Sequence, residues 1–245
     1  MKFYYDPASS YSQRVLIALY EKDIPFTPIK VSLFDPEARE EYKKINPFAK
    51  IPTLETDSGE IIFEACIIIE YLDRQFPQQP CLLDPERILE IRSIERIIDV
   101  YINGSREVLF ADRQRQLELR GNPAVIKARR LLETACSFLE DKLQSQTWLV
   151  GEQFSLADCT AAPTLTYLRL VYDYQHLPNL TNYMRRLESR SAVARVQREG
   201  SVRMNQMLAA LPYPLQLAPL AHPLKPSVGA IHELPLPMVS AMPKT

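Results

Sequence analysis

The hydrophobic pattern of the first 77 residues alternates between short runs of strand character and segments with a helical apolar face. Residues 2–5 predict a strand, and residues 12–22 carry Val15, Leu16 and Leu19 at helical spacing. The other elements predicted in this region are a strand over 26–31, a helix from Asp35-Pro36 to near residue 46, hairpin strands over 53–56 and 61–63, and a helix over 65–75. The order βαβ followed by ββα predicts an α/β domain over residues 1–77.

The strand pattern disappears after a linker at residues 76–80, and long helical segments follow. We predict helices over residues 86–119, 123–144, 156–172, 179–189 and 192–208. The breaks between the first four contain Gly or Pro, which interrupt helices. An all-α domain is therefore predicted over residues 86–208.

Prolines crowd the end of the chain, from Pro212 to Pro243. Proline fixes φ and lacks an N–H donor, so neither a helix nor a central strand fits this composition. We expect residues 209–245 to form an extended, poorly ordered tail. The alternative is a proline-rich ligand for a partner protein.

Composition and charge narrow the function classes. The chain has 245 residues, 46% of them hydrophobic, and 29 basic and 30 acidic side chains give a net charge of −1. This balance gives no field that favours nucleic acid or an anionic membrane. There is no apolar run long enough to span a membrane and no signal-peptide pattern, so we expect a soluble, cytoplasmic protein. The four cysteines form no C-x-x-C pair and the three histidines all follow residue 175, so neither a metal site nor a dithiol site is predicted.

The first hairpin strand is preceded by the loop 46–52, with the sequence N-P-F-A-K-I-P. Pro52 lies directly before the strand in a loop that must turn sharply, so we predict a cis Ile51–Pro52 bond. In that geometry the N–H and C=O of Ile51 would point away from the sheet edge. An extended peptide could then pair with them as an added strand.

Glu64 and Ala65 stand at the turn from the hairpin into the third helix. The first N–H groups of a helix lack intrahelical partners and carry a partial positive charge, which suits a ligand carboxylate. Glu64 could accept a hydrogen bond from a ligand ammonium, so the pair could hold the head of an α-amino acid. Alternatively, Glu64 only complements the helix dipole.

Three serines, Ser9, Ser10 and Ser12, follow the first strand at the start of the first helix. At least one is expected to cap that helix. A second role is possible, because a free thiol has a pKa near 8.5 and is mostly protonated at pH 7. A hydroxyl donor together with helix N–H groups would stabilise its thiolate form.

The second domain carries the segment G-x-x-F-S-L-A-D, in which Ser155 and Asp158 form a predicted capping box. With N-P-x-x-K-I-P and the acid at the third helix, this order of motifs resembles the glutathione S-transferase superfamily over roughly residues 1–207. The loop at Ser9 and Ser10 looks like that of the serine-type zeta and theta classes. The resemblance implies a thioredoxin-like first domain, an all-α second domain and glutathione as co-substrate.

The resemblance also implies roles for individual residues. Ile51, followed by Pro52, would bind the cysteinyl backbone of glutathione, and Lys50 the glycyl carboxylate. Glu64 and the backbone of Ala65 would hold the γ-glutamyl group. Where the family usually has Glu-Ser, this chain has Glu64-Ala65, so a hydroxyl to the ligand carboxylate is lost.

Ser10, or otherwise Ser9, is the predicted catalytic hydroxyl. Tyr5 is a rival because tyrosine-using classes place their phenol near the end of this strand, and Tyr11 is another because it replaces a cysteine of the zeta class. The resemblance further implies a homodimer, for which we expect Phe48 to insert into the partner.

Several functions remain open at this stage. The first is thiolate attack on a small electrophile, or zeta-like isomerisation of a maleyl-type diketo acid. An acidic substrate would need arginines near the cleft, and Arg106, Arg113 and Arg115 lie on a suitable helix, although such residues are usually solvated. The alternative is a non-catalytic binding or assembly module. A thiol–disulfide reductase is disfavoured because serine cannot form a mixed disulfide.

Overall fold

The structure is a computed structural model that describes residues 1–77 and 80–220. It has the two predicted parts, an α/β domain followed by a helical domain. The elements of the first domain are β1 (Lys2–Tyr5), α1 (Ser10–Glu21), β2 (Thr27–Lys30), α2 (Pro36–Lys43), β3 (Thr53–Glu55), β4 (Ile61–Phe63) and α3 (Ala65–Gln75). The predicted βαβ-then-ββα order is confirmed.

The sheet has the strand order β2-β1-β3-β4, with β1 and β2 parallel and the other two pairs antiparallel. Phe3 of β1 is opposite Leu54 of β3, and both side chains are fully buried. Helices α1 and α3 pack together, whereas α2 buries only Tyr42, against Tyr4. The first domain therefore has a thioredoxin-like arrangement, with its main core under α1 and α3.

The helical domain follows the predicted segments closely, with one difference. Its helices are α4 (Ile88–Arg96), α5 (Gly104–Arg113), α6 (Pro123–Lys142), α7 (Leu156–Leu168), α8 (Pro178–Ser189) and α9 (Ser191–Ala209). The single helix predicted over 86–119 is divided: a π-helical segment, Ile97–Asn103, joins α4 to α5, and a short 3₁₀ turn, Leu117–Leu119, stands apart. Hydrophobic spacing alone does not distinguish α from π hydrogen bonding.

The two domains meet chiefly where α1 packs against α7. Most of α7 is buried, as its uninterrupted apolar and small residues require. Arg14 of α1 is only 1% exposed, and its guanidinium donates to Asp99 Oδ1 at 2.7 Å and to Thr164 Oγ1 at 3.3 Å. The interface between the domains is therefore stabilised by the hydrogen bonds of a buried guanidinium as well as by apolar packing.

The predicted capping box at the start of α7 is confirmed. The carboxylate of Asp158 is fully buried and accepts from the Ser155 N–H at 2.8 Å, the Leu149 N–H at 3.1 Å and the Tyr183 hydroxyl at 2.6 Å. Burial raises the pKa of Asp158, and these hydrogen bonds oppose that shift. The box thus ties the start of α7 to α8.

Residues 210–220 continue from α9 without helix or strand. They turn back along α5, where Tyr213 exchanges hydrogen bonds with the side chain of Gln114 and lies under the guanidinium of Arg120. The rest of the predicted tail, residues 221–245, lies outside the described residues. Among the residues that are described, none of the helices is long and apolar enough to cross a membrane.

Candidate functional site

The loop 46–52 is held in place by two polar side chains beneath it. Asn46 Nδ2 and the Tyr42 hydroxyl both donate to the carbonyl of Lys50, at 2.7 and 3.0 Å, and both contact Thr53 Oγ1. The Ile51–Pro52 bond is cis, which confirms the prediction. Within the described part of the chain, the N–H and C=O of Ile51 have no hydrogen-bond partner, so both remain free for a ligand.

A cleft of about 360 Å³, here called the polar cleft, opens beside this loop. The five residues predicted to bind glutathione, Lys50, Ile51, Pro52, Glu64 and Ala65, all line it. Tyr11 of α1 and Asp99 of the π-helical segment line the cleft from the other side. The sequence motifs therefore converge on one cleft, which carries charged and polar groups among apolar side chains.

Helix α3 presents its N-terminus to the polar cleft. Glu64 precedes it with a φ of +65°, and its side chain makes no capping hydrogen bond. Within α3 the first backbone donor is Ile68, to the Glu64 carbonyl, so the preceding N–H groups at Ala65, Cys66 and Ile67 have no intrahelical acceptor. The cleft therefore combines anion-binding N–H groups with the exposed carboxylate of Glu64, as an amino acid head group requires.

A larger cavity of about 700 Å³, here called the apolar cavity, lies on the far side of Tyr11. It lies between the two domains. Its walls are mostly apolar side chains of α5, α7 and α9, with Phe34 from the first domain. Ser9, Ser10 and Tyr11 at the start of α1 also line it. Tyr11 and Glu107 of α5 line both spaces, so these two residues stand at their boundary.

The three serines of this loop have different environments. Ser9 is the N-cap of α1, and its Oγ accepts from the Ser12 N–H at 3.2 Å. Helix α1 begins at Ser10, two residues before Ser12, so the prediction that Ser12 could be the cap is wrong. The hydroxyl of Ser12 is buried and has no hydrogen-bond partner within the described residues. Ser10 lines the apolar cavity, and its hydroxyl makes no hydrogen bond within the described residues.

The two tyrosine rivals also differ. Tyr5 is buried and stacked on Phe3 with ring centroids 5.3 Å apart, and it lines neither space. The Tyr11 hydroxyl accepts from Asn103 Nδ2 at 2.7 Å. Burial, and then the carboxylate of Glu107, raise the pKa of Tyr11 to about 12, so it is a neutral phenol at physiological pH. Of these two tyrosines, Tyr11 is the one that lines the cleft and the cavity and could contact a ligand there.

The loop before α1 is supported by residues that follow it by more than 150 positions. The Tyr167 hydroxyl of α7 donates to the carbonyl of Ala8, and Arg203 of α9 donates to Asp6 at 3.4 Å. Gly200 of α9 passes so close that a Cβ there would lie 2.4 Å from the carbonyl oxygen of Pro7. The second domain therefore positions the serines.

Of the three candidate arginines, Arg106 and Arg113 lie on α5, whereas Arg115 follows the end of that helix, so its predicted position on the helix is wrong. Arg106 is 8% exposed and lines the apolar cavity, so for this residue the expectation of a solvated side chain is wrong. The backbone turns its side chain inward beside Asn103, whose Oδ1 accepts from Arg106 Nε at 3.0 Å. Arg113 and Arg115 are exposed and do not line the cavity. The described residues also contain no group of three or more potential metal ligands.

Comparison with known proteins identifies the family of this chain. The family model described as "Glutathione S-transferase, N-terminal domain" matches residues 3–80, and "Glutathione S-transferase, C-terminal domain" matches residues 95–186. The chain belongs to the glutathione S-transferase family. The family resemblance and the predicted enzyme class, a glutathione-dependent transferase or zeta-like isomerase, are confirmed at this level.

Individual members of the family show how widely the fold is shared. Probable maleylacetoacetate isomerase 2 of Drosophila melanogaster is 28% identical over 193 residues, covering 75% of this chain and 82% of the relative. The Stringent starvation protein A homolog of Coxiella burnetii is 29% identical, covering 73% and 79%. A crystal structure of a glutathione S-transferase from Methylobacillus flagellatus with GSH bound is 27% identical, covers 80% and 98% of the two chains, and has a TM-score of 0.70.

For this glutathione S-transferase, sequence reasoning missed Tyr167 and Gly200. A lone glycine inside a helical pattern is a signal of close packing, so Gly200 could have been noted. No comparable signal marks Tyr167, because its partner is a backbone carbonyl far away in sequence.

Proposed function

We propose that the protein binds glutathione in the polar cleft and uses its thiolate to attack an electrophile in the apolar cavity. The observation that carries this proposal is the free hydroxyl of Ser10, which stands at the first residue of α1 in the wall of the apolar cavity, next to Tyr11, which lines both spaces. A thiol reaching past Tyr11 from the cleft would meet this hydroxyl and the N-terminus of α1 together.

The family resemblance supplies the proposed roles of the cleft residues, and their position in one cleft supports these roles. The free N–H and C=O of Ile51 would pair with the cysteinyl backbone, and Lys50 would attract the glycyl carboxylate. The γ-glutamyl carboxylate would meet the N–H groups at Ala65, and its ammonium would meet Glu64. These contacts bind the ground state, and they hold the sulfur near the start of α1.

Ser10 would donate its hydroxyl to the sulfur and lower the thiol pKa, because a donor stabilises the charged form. Ser9 is the alternative donor. Its oxygen already accepts the Ser12 N–H, although its own hydrogen remains available. Attack of the thiolate on a carbon bearing a leaving group gives transfer, and reversible addition to an activated double bond would give isomerisation.

The test compares Ser10→Ala, Ser9→Ala, Tyr5→Phe and Tyr11→Phe by the pH dependence of turnover. For Ser10→Ala we expect a loss of about 10²–10³-fold in turnover and a raised thiol pKa, by analogy with removing one oxyanion donor. Glutathione affinity should change little. Wild-type profiles in both serine variants, with loss in Tyr5→Phe or Tyr11→Phe, would refute the assignment.

A binding or assembly module is the second candidate. Ala65 lacks the hydroxyl that the family resemblance places beside the γ-glutamyl carboxylate, and one relative is named a stringent starvation protein A homolog rather than a transferase. Such a module would bind glutathione weakly and would not turn over electrophiles. Measured glutathione affinity together with turnover of a panel of electrophiles separates the two candidates.

The protein is also proposed to act as a homodimer. Phe48, in the loop beside the polar cleft, is 69% exposed and touches Phe63 edge-on with ring centroids 6.2 Å apart. An aromatic ring so exposed is suited to insertion between the helices of a second copy. Sedimentation that gives a stable monomer would overturn this part of the proposal.

A further inference from the structure

The apolar cavity contains a buried guanidinium, Arg106, whose ion-pair partner among the described residues is the exposed carboxylate of Glu107. Arg106 is buried among apolar side chains, and burial lowers the pKa of its guanidinium because the charged form is poorly solvated. A buried charge is normally paired and fully hydrogen-bonded. Arg106 follows that rule only in part, because its ion pair with Glu107 is 3.4 Å long.

The hydrogen bonds of Arg106 leave part of its guanidinium available. Nε donates to Asn103 Oδ1 at 3.0 Å, which fixes the plane of the group. Nη2 approaches Glu107 Oε1 only at 3.4 Å, and the Glu107 carboxylate is itself exposed. Within the described residues Nη1 has no partner, and it is not enclosed by protein, so it faces accessible space. An anion in the cavity could complete this set of bonds.

The other charges at the cavity do not oppose an anion strongly. Arg203 adds a second positive group at the rim, held to Asp6 at 3.4 Å. Glu107 is the acidic residue among the cavity's lining residues, and water screens its exposed carboxylate. Asp6 pairs with Arg203, so the group that favours a negatively charged ligand is Arg106, whose carboxylate partner Glu107 is exposed and screened.

The remaining walls fit an apolar body rather than a second charge. Phe110, Tyr167, Met204, Met207, Leu208 and Leu211 supply aromatic and flexible apolar surfaces. A volume of about 700 Å³ is typical of sites for molecules with one or more rings. A small dianion would leave most of this surface unfilled and one of its charges without a buried partner.

We infer that the second substrate is an aromatic carboxylate that carries an electrophilic carbon, with its carboxylate bound by Arg106 and its electrophilic carbon turned toward Ser10. This inference rests on the proposed function and names the substrate class of the same site. For an aryl halide, the sulfur of the glutathione thiolate forms a bond to the ring carbon and the carbon–halogen bond breaks. The halide leaves with the electron pair, the thiol proton has already passed to solvent, and the carboxylate is unchanged.

The experiment uses the full chain, glutathione and two electrophiles of matched shape, 4-chloro-3,5-dinitrobenzoate and 4-chloro-3,5-dinitrobenzamide. Each kcat/KM is divided by the uncatalysed rate constant, which removes the difference in intrinsic reactivity. For the wild type we expect the benzoate to exceed the benzamide by at least about tenfold, the size of one charged hydrogen bond. In Arg106→Gln the ratio should fall to about one, because the benzoate should lose about tenfold more kcat/KM than the benzamide.

Two matched variants separate recognition from structure. Arg106→Lys keeps the charge and should retain part of the preference, and Arg113→Gln removes an exposed arginine of the same helix and should retain all of it. A wild-type ratio of one or less would overturn the inference. So would an equal loss for both electrophiles in Arg106→Gln, since that result indicates a purely structural role.

A binding measurement keeps the inference testable if the proposed function fails. If the wild type turns over neither electrophile, the proposed transfer is wrong, and the cavity is then probed by displacement of fluorescent 8-anilinonaphthalene-1-sulfonate. Displacement by the benzoate at about tenfold lower concentration than the benzamide, lost in Arg106→Gln, would support the anion site. Equal displacement by the two compounds would overturn it.

Discussion

The polar cleft and the apolar cavity are neighbours, but they are constructed differently. The cleft is formed largely by residues 46–65, and the groups proposed to bind a ligand there are mostly backbone atoms at Ile51 and at the start of α3. The cavity is formed by side chains of both domains that are far apart in sequence. The difference suggests that one space is adapted to a single constant ligand and the other to a variable one.

The cleft and the cavity should therefore respond to different substitutions. Changes in the cleft should alter the affinity of the protein for glutathione, whichever electrophile is used, because the proposed glutathione contacts come from one short segment. Changes at the cavity or at α9 should alter turnover and leave glutathione affinity unchanged. The predictions below test this separation, from the largest expected effect to the smallest.

The largest effect is expected for Glu64→Gln. Loss of the charge that would face the γ-glutamyl ammonium removes a charged hydrogen bond, which is worth about 1.5–3 kcal/mol. The KM for glutathione should rise by about 10–100-fold, with the KM for the electrophile unchanged. Glu60→Gln, an exposed residue on the same hairpin, is the control. A comparable rise in both variants would mean that general surface charge, not Glu64, attracts glutathione.

Gly200→Ala tests the support that α9 gives to the serine loop. The added Cβ would lie 2.4 Å from the Pro7 carbonyl oxygen and 2.8 Å from Gln13 Nε2, so the loop or the helix must move. We expect a loss of about 1–3 kcal/mol in the free energy of unfolding, as in overpacked cores, and reduced turnover at unchanged glutathione affinity.

Gly104→Ala is the matched control for Gly200→Ala, because it is also a helical glycine and a Cβ there meets no atom within 4 Å. It should leave turnover unchanged and stabilise the protein by up to about 1 kcal/mol. Thermal denaturation and kinetics of the two variants decide the question. Equal behaviour of both variants would show that α9 does not position the loop.

Ala65→Ser should improve glutathione binding. The new hydroxyl would stand at the first residue of α3, beside the N–H groups expected to bind the γ-glutamyl carboxylate. One added hydrogen bond to a charged group predicts about tenfold tighter binding. Titration calorimetry with glutathione measures the change. Unaltered affinity would mean that the backbone N–H groups already satisfy the carboxylate.

The smallest effect is expected for Glu95→Gln, beneath the cleft. Burial raises the pKa of Glu95, whose hydrogen-bond partner among the described residues is the Cys66 thiol at 2.8 Å. Because the folded-state pKa is raised, its stabilising contribution is complete below the unfolded value near 4.5 and is lost as pH rises through the folded value. Glutamine resembles the protonated form, so the variant should lose less stability than the wild type over this pH interval.

Urea denaturation at a series of pH values would measure this difference. Parallel stability curves for the wild type and Glu95→Gln would contradict the prediction. Glutathione affinity at neutral pH serves as the control, since Glu95 does not line the polar cleft.

The sequence was sufficient to predict features that depend on residues close together in the chain. The hairpin, the Asp35 cap of α2, the capping box at Ser155 and the cis bond at Pro52 each depend on neighbouring residues, and all are present. The five residues of the polar cleft share this property, because their motifs adjoin the strands and the helix that position them.

The sequence was insufficient to predict contacts between residues that are far apart in the chain. The burial of Arg106 depends on how α5 is turned against α1, and the contact of Tyr167 with Ala8 depends on the docking of α7. Neither follows from helical periodicity, which identifies a buried face but not its partner. The sequence also did not show which serine caps α1, whereas the structure makes Ser9 the N-cap; the choice of Ser10 over Ser9 as the catalytic hydroxyl stays a prediction.

The buried guanidinium of Arg14 has a consequence for how the chain matures during synthesis. Its two partners, Asp99 and Thr164, belong to the second domain. Helix α1 packs against α7 of that domain, so while the first domain is the only part synthesised the guanidinium lacks both partners and this face of α1 has not reached its final packing. At about 5–20 residues per second, the ribosome takes about 4–17 s to proceed from residue 77 to residue 164. Limited proteolysis of ribosome-bound chains stalled before and after Thr164 would measure this interval, during which the nascent first domain remains dependent on the sequence still to come.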